Sequence, residues 1–298
     1  MVAKVIQITL LPIVALAIGI FFLGLYRKIM ARIHWRYGPP LVQPVIDIIR
    51  LFSQRGTSHG VVFDLGLVLS LGGALAVILL IPFGQLCPLS GSGGLLVILY
   101  LMLLMPLGIA LSGGEGANPN ISIGISRKLI LALGYEVPLL LVLLSVMTQY
   151  NTISIVDVVR SQQDSVWSLF SWPLFLPGIA YLLILPAVLG VRPFDVASAP
   201  QEISSGSMVE YAGKYLALGH IQHALSWFVG VSLFVNLFLG GAANPVFFFA
   251  KMLVVFVLNV LVSAVFPRFR IEQAVKYLWK WPTVLAFLGL VITVIVGR

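Results

Sequence analysis

Glu136 lies in the stretch "LILALGYEVPLLLVLL", where nearly every neighbour is apolar. An ionisable group at membrane depth costs roughly 3 kcal/mol or more at a helix centre, so it is a functional candidate by default. Pro138, two positions on, removes a backbone donor and frees a carbonyl, and Tyr135 adds a hydroxyl. Those three residues predict a polar pocket around a carboxyl that titrates on an ion path. The competing reading is a permanently protonated acid that ties two helices together.

A second group of acids falls in "VRPFDVASAPQEISSGSMVEYAGKY". Asp195, Glu202 and Glu210 lie within sixteen positions, bracketed by Arg192 and Lys214. If they are buried close together, repulsion and desolvation raise their pKa values toward neutral, which suits proton relay. An ordinary solvated loop is the plainer alternative. Pro193, Pro200 and the small residues at 204–207 point to a loop packed against other backbone.

His220 and His223 are three apart and share a helical face. A metal pair needs more ligands than the surrounding sequence supplies, so they read as polar-path or interfacial histidines. Lys251, inside "FFFAKMLVVFVLN", either snorkels or pairs with an acid. Asn236, Asn244 and Asn259 read as polar residues bridging helices. Cys87 is the one cysteine, and an iron–sulfur cluster takes about four thiolates. There is no Walker motif, dinucleotide fingerprint, zinc signature or nucleophile elbow. The chain therefore carries protonatable groups without a self-sufficient catalytic apparatus. No catalytic, cofactor-binding or metal-binding residue is assigned to it.

The elements that must position these groups are membrane helices. Of 298 residues, 60% are hydrophobic and 9% charged, against about 25% charged in soluble domains. Windows of roughly 20 apolar residues predict an all-α polytopic protein, a single transmembrane domain over 1–298. Its eight spans fall near 5–26, 62–82, 93–112, 127–148, 171–190, 214–239, 246–266 and 280–297. Breaker-rich turns such as "SGSGG" at 90–94 and "GGAANP" at 240–245 separate them. With eight spans, 14 of the 18 Lys and Arg fall on one side; Lys4, Arg160, Lys251 and Arg298 are the others. The positive-inside rule makes that side cytoplasmic, in a cell-membrane protein with both termini outside. The net charge of +8 then reflects topology, membrane lipid contact and docking of a partner, with no role for nucleic acid.

One charged segment does not fit a span. "RYGPPLVQPVIDIIRLFSQR" at 36–55 is too short and too charged to cross a bilayer. Pro39 and Pro40 would end the run from the first span, and Pro44 suits a first helical turn. Val45, Ile48, Ile49 and Phe52 share one face, and Asp47 and Arg50 another. The pattern predicts an amphipathic interfacial helix over about 42–53.

Four stretches occur in order: "YRKIMARIHWRYGPP…QPVIDIIRL", "SRKLILALGYEVP", "RPFDVASAPQEISSGSMVEYAG" with "LFLGG" after it, and "FPRFRIEQAVKYLWKW". Together they resemble the membrane subunit of respiratory complex I called H in bacteria and subunit 1 in mitochondria. The same family includes its counterpart in energy-converting, membrane-bound nickel–iron hydrogenases. The resemblance implies a subunit of an ion-pumping oxidoreductase, itself non-catalytic. It would anchor a peripheral redox arm and couple electron transfer to ion translocation. It places Glu136, Asp195, Glu202 and Glu210 on the ion pathway. Arg27, Lys28, Arg32, Arg36 and Asp47 fall in the region contacting the arm, with Tyr135, Arg192, His220, His223 and Lys251 as secondary candidates. The implied partners are peripheral iron–sulfur and hydrogenase-like large subunits and antiporter-like membrane subunits, forming a hetero-oligomer. Iron–sulfur clusters, and nickel–iron in a hydrogenase, would belong to those partners.

Two departures select a branch. Quinone-reducing members usually read "GPNRVGPxGLLQPxAD" after the first span; here "GPPLVQPVID" is shorter. They also tend to read "PFDLPEAESEL"; here "PFDVASAPQEI" has Ser198, Ala199 and Pro200 where acids are common. Both differences resemble the hydrogenase-type branch, with a quinone-site subunit as the alternative. A stand-alone transporter would show internal inverted repeats, and none is visible. A passive anchor without an ion path is the remaining class.

Overall fold

The computed structural model describes residues 2–84, 86, 88–89, 94–163 and 166–296. Cys87, residues 90–93 of the glycine-rich turn, and Arg298 lie outside them. In chain order the helices are α1 (Val2–Ile33), α2 (Gln43–Ser53), α3 (Val61–Leu80), α4 (Leu95–Gly113), α5 (Pro119–Tyr150) and α6 (Ile155–Gln163). Then follow α7 (Trp172–Leu189), α8 (Pro200–Ile203), α9 (Lys214–Phe238), α10 (Pro245–Val265) and α11 (Ile271–Val296). Among the described residues, eight helices are long and apolar enough to span a bilayer: α1, α3, α4, α5, α7, α9, α10 and α11. That matches the all-α, eight-span class expected from the sequence.

Some helices outrun their apolar windows. α5 starts at Pro119, and Asn118 caps it by accepting the Asn120 N–H at 3.0 Å. Proline in the first turn costs nothing there, since its missing N–H would be unsatisfied anyway. Asn244 and Pro245 repeat the device at α10, so Asn244 is a cap rather than a bridge. α11 starts at Ile271, so Lys276 and Lys280 ride on a helix and not in a loop. α1 continues through Arg27, Lys28 and Arg32 to Ile33. It therefore stops before Pro39 and Pro40, and Trp35 and Gly38 take positive φ in the turn that follows.

α9 is the central helix, with 83% of its span window buried. α7 is tied to it by Tyr181, whose hydroxyl donates to the Gly230 carbonyl at 2.9 Å. A second tie runs from Trp227 of α9 to the Leu189 carbonyl at 2.7 Å. α1 joins α10 through the Tyr26–Ser263 hydroxyl pair at 3.0 Å and the Phe22–Phe256 stack at 4.3 Å. α3 and α4 meet backbone to backbone at Gly66 and Gly108, where a methyl group would strike the opposing chain. Close approach through small residues is how helices gain contact in lipid. α2 lies along α9 with Pro44 and Ile48 buried, while Val45, Ile49 and Phe52 stay exposed. The expected apolar face thus divides between protein and the surroundings, as an interfacial helix requires.

Candidate functional site

The loop after α7 is clamped by charge. Asp195 pairs with Arg268 at 3.0 Å and accepts a hydrogen bond from Ser198. Glu202 pairs with Arg127 of α5 at 2.9 Å and reaches Arg268 at 3.7 Å. Glu210 accepts the Asn118 N–H at 3.0 Å and faces His59 at 3.9 Å. Asp195 and Glu202 thus converge on one guanidinium, that of Arg268, while Glu210 meets the start of α5; each acid has a base or a helix end beside it. The Arg127 hydrogen bond holds the Glu202 carboxyl below its ordinary range, the opposite of the upward shift that clustering would give. The bases come from α5 and from the connection before α11, far away in sequence.

The same loop is packed in part: Pro193, Gly206 and Ser207 are buried, whereas Pro200, Ser204 and Ser205 are exposed. A Cβ on Gly124 of α5 would stand 2.6 Å from the Ser207 nitrogen. Phe194 is buried against Phe269 and Tyr277, with ring centroids 5.6 and 5.7 Å away. The Phe269 N–H closes the contact by donating to the Pro193 carbonyl at 2.9 Å.

Beneath this loop lies a cavity of about 740 Å3. It runs from Asp195, Ser198 and Pro200 down to Leu23, Met102, Leu131 and Tyr135 between the helices. Its size is that of an ordinary ligand cleft of about 300–1,000 Å3. Two helical stripes line it at the same spacing: Lys128, Leu131 and Tyr135 from α5, and His220, His223 and Trp227 from α9. Both run i, i+3, i+7, so each presents one face to the opening. Arg27 and Tyr26 come from α1. The lining mixes the charged Arg27, Lys128 and Asp195 with hydroxyls, the Gln222 amide and apolar side chains, so the cavity is amphipathic.

The remaining candidates divide. Tyr135, Asp195, His220, His223 and Arg27 line the cavity. Glu136 follows Tyr135 but lies off the cavity wall. It is half-buried, with Oε1 shielded from solvent and without a hydrogen-bond partner. Because α5 begins early, Glu136 stands seventeen residues beyond Pro119 in a 32-residue helix, near its middle. Arg27 pairs with Asp47 of α2 at 3.0 Å. Lys28 and Arg32 lie over the Tyr37 ring at 5.2 and 5.0 Å. Arg36 and Arg192 are exposed.

Lys251 makes no ion pair with an acid among the described residues. Its ammonium donates to the Leu239 and Gly241 carbonyls at 2.6 Å each and lies 4.4 Å over the Trp167 ring. It caps the end of α9, where carbonyls lack helical partners. Among the described residues no group of three or more His, Cys, Asp or Glu is placed to hold a metal.

Several contributors read in the sequence only as topology markers. Lys128, Arg127 and Arg268 are the main ones. The signal for Lys128 was its seven-residue spacing from Tyr135. Glu115 left no such signal: it accepts the Phe63 N–H at 2.9 Å across 52 positions, closing the start of α3.

Eight membrane-length helices, five of which (α1, α4, α5, α7 and α9) line a cavity beneath an ion-paired loop, define a polytopic membrane protein. The family model described as NADH dehydrogenase matches residues 5–294, and the chain belongs to that family, which holds the bacterial H-subunit and mitochondrial subunit 1 of respiratory oxidoreductases. The H-subunit of F(420)H(2) dehydrogenase from Methanosarcina barkeri is 31% identical, over 94% of this chain and 92% of that one. The H-subunit of NADH-quinone oxidoreductase from Neisseria meningitidis serogroup C is 29% identical, over 91% and 82%. Among solved structures, a chain of the membrane-bound sulfane sulfur reductase, an archaeal respiratory membrane complex, superposes with a TM-score of 0.94. It is 37% identical, with 98% of this chain and 99% of that one covered. The protein is thus a membrane subunit of a multi-subunit respiratory complex.

Proposed function

We propose that this chain seats the peripheral redox arm and couples electron transfer to ion translocation in a hydrogenase-like complex of the sulfane-sulfur-reductase kind. The observation that carries the reading is the chamber beneath the clamped loop, with Glu136 beside it at the centre of α5. In this reading the loop face is cytoplasmic and receives iron–sulfur and hydrogenase-like large subunits, whose clusters hold the electrons. Antiporter-like membrane subunits receive the ion. A change of charge in the arm competes for Arg127 and Arg268, which hold Asp195 and Glu202. Glu136 lies nine residues from Arg127 on the same helix, about 13 Å along its axis. A shift at one end of α5 therefore reaches the acid through a rigid element, a local electrostatic event acting on a bistable loop. Glu210, bound at the start of α5, would feel the same movement.

The test is Glu136→Gln in the whole complex, reconstituted into vesicles. Electron transfer should persist near its original rate while coupled ion uptake falls about tenfold or more, as expected when a titrating relay group is lost. Uptake that stays intact removes Glu136 from the path.

The chamber's size favours one second reading, a quinone-headgroup site. Reduction of an added short-chain quinone by the complex, lost on blocking the chamber with a bulky Leu131→Trp change, would establish it.

A further inference from the structure

The outer face of the α5–α11 pair carries a groove of about 730 Å3, separate from the internal chamber. Its apolar wall includes Ile130 of α5 and Val275 and Trp279 of α11, and Lys276 and Lys280 lie along its α11 side. The two lysines are four apart and share one helical face. Neither makes an ion pair among the described residues. Glu272 also borders the groove, in the first turn of α11, where free amides favour a carboxylate. The balance is two cations to one anion.

Beyond the groove, exposed apolar residues continue along both helices. On α5 they are Leu133 and Val137, beyond Ile130; on α11 they are Val284, Phe287 and Val291, beyond Lys280. Trp279 and Trp281 are each 56% exposed, and exposed Trp rings are side chains that favour lipid headgroups. The bordering side chains are bulky, whereas helix partners in membranes meet through Gly, Ala and Ser.

The geometry points to an anionic membrane lipid in this groove, its phosphate held between Lys276 and Lys280 and an apolar chain lying along the α5–α11 furrow. Gly134 forms part of that seam, where a Cβ would stand 3.2 Å from Leu278, two residues from Glu136. A lipid bound here therefore flanks the same segment of α5 from outside the bundle. The assignment does not depend on the ion-path reading.

The test uses the full chain in detergent, titrated separately with phosphatidylglycerol and phosphatidylcholine and read by native mass spectrometry. The unchanged chain should retain phosphatidylglycerol about tenfold better, since each basic residue near a headgroup contributes about fivefold. Lys276→Gln with Lys280→Gln should bring the two lipids level. Lys4→Gln with Arg160→Gln removes equal charge elsewhere and should leave the preference intact. Equal retention by the unchanged chain overturns the assignment whether or not the variants fold. So does a preference that survives loss of both lysines, or a partner's helix seated in the groove in a structure of the whole complex.

Discussion

Asp195 and Arg268 stand 3.0 Å apart and join the loop after α7 to the connection before α11 across 73 positions. Their side chains are 22% and 16% exposed, so the pair is largely shielded from solvent. Arg268 also reaches Glu202, and its Nε is buried without a partner. Asp195 and Glu202 therefore meet at one guanidinium, which ties two distant segments of the chain together.

Arg268→Gln should therefore loosen the loop. Leaving a mostly buried carboxylate unpaired costs about 1–3 kcal/mol, which lowers Tm of the purified chain. Asp195→Asn should recover part of that loss in the double variant. A double-mutant cycle with no coupling energy would show that the pair orders nothing.

Gly124→Ala should act at the same loop through sterics alone. Its Cβ meets backbone atoms of Gly206 and Ser207 at 2.6–2.8 Å, and backbone cannot rotate away as a side chain does. The expected cost is about 1–3 kcal/mol. Faster hydrogen exchange confined to 200–210 would report it.

The tether of α2 should depend on pH in one direction. Burial pushes the Asp47 carboxyl up, but hydrogen bonds from Gln43 and Arg27 outweigh it and hold the group below its ordinary 3.8. A carboxyl depressed in the fold stabilises above its unfolded pKa, and that stability is lost as pH falls through the folded value. Protection of α2 amides should thus be level from about pH 5 to 8 and fall below about pH 4. Arg27→Gln should flatten the profile. Because the pair is substantially exposed, high salt should weaken it as well.

Lys251→Met should destabilise the far end of the bundle and leave coupling unchanged. It strips two carbonyls of their donor and removes a cation from the Trp167 face. A loss of about 1–3 kcal/mol follows. A selective loss of ion uptake at normal stability would instead put Lys251 on the path.

The eight spans and the interfacial helix were legible because hydrophobic length and period are local properties of the sequence. Helix starts were harder, because apolar windows end where polar turns remain helical. Asn118–Pro119 and Asn244–Pro245 carried the missing information as caps. The packing of the loop was readable only in part, since Gly206 and Ser207 are buried but Ser204 and Ser205 are exposed. Its charge clamp was not readable, since Arg127–Glu202 and Asp195–Arg268 each span more than seventy positions. The setting of Lys251 was hidden for a different reason. Its partners are carbonyls, which every residue has and no sequence pattern marks.

α9 carries a consequence for how the chain is made. It is the least hydropathic of the eight spans and the most enclosed. Gln222, Ser232 and Asn236 are buried within it, with His220 and His223 against the chamber. Left alone in a bilayer, such a segment gives up polar contacts that only neighbouring helices restore. Its insertion is therefore cooperative: α1, α3 and α7, all synthesised earlier, form the berth it enters. Truncations that omit any of them should strand α9 at the translocation machinery, and a defect far from the chamber would surface as failed biogenesis before any turnover could be measured.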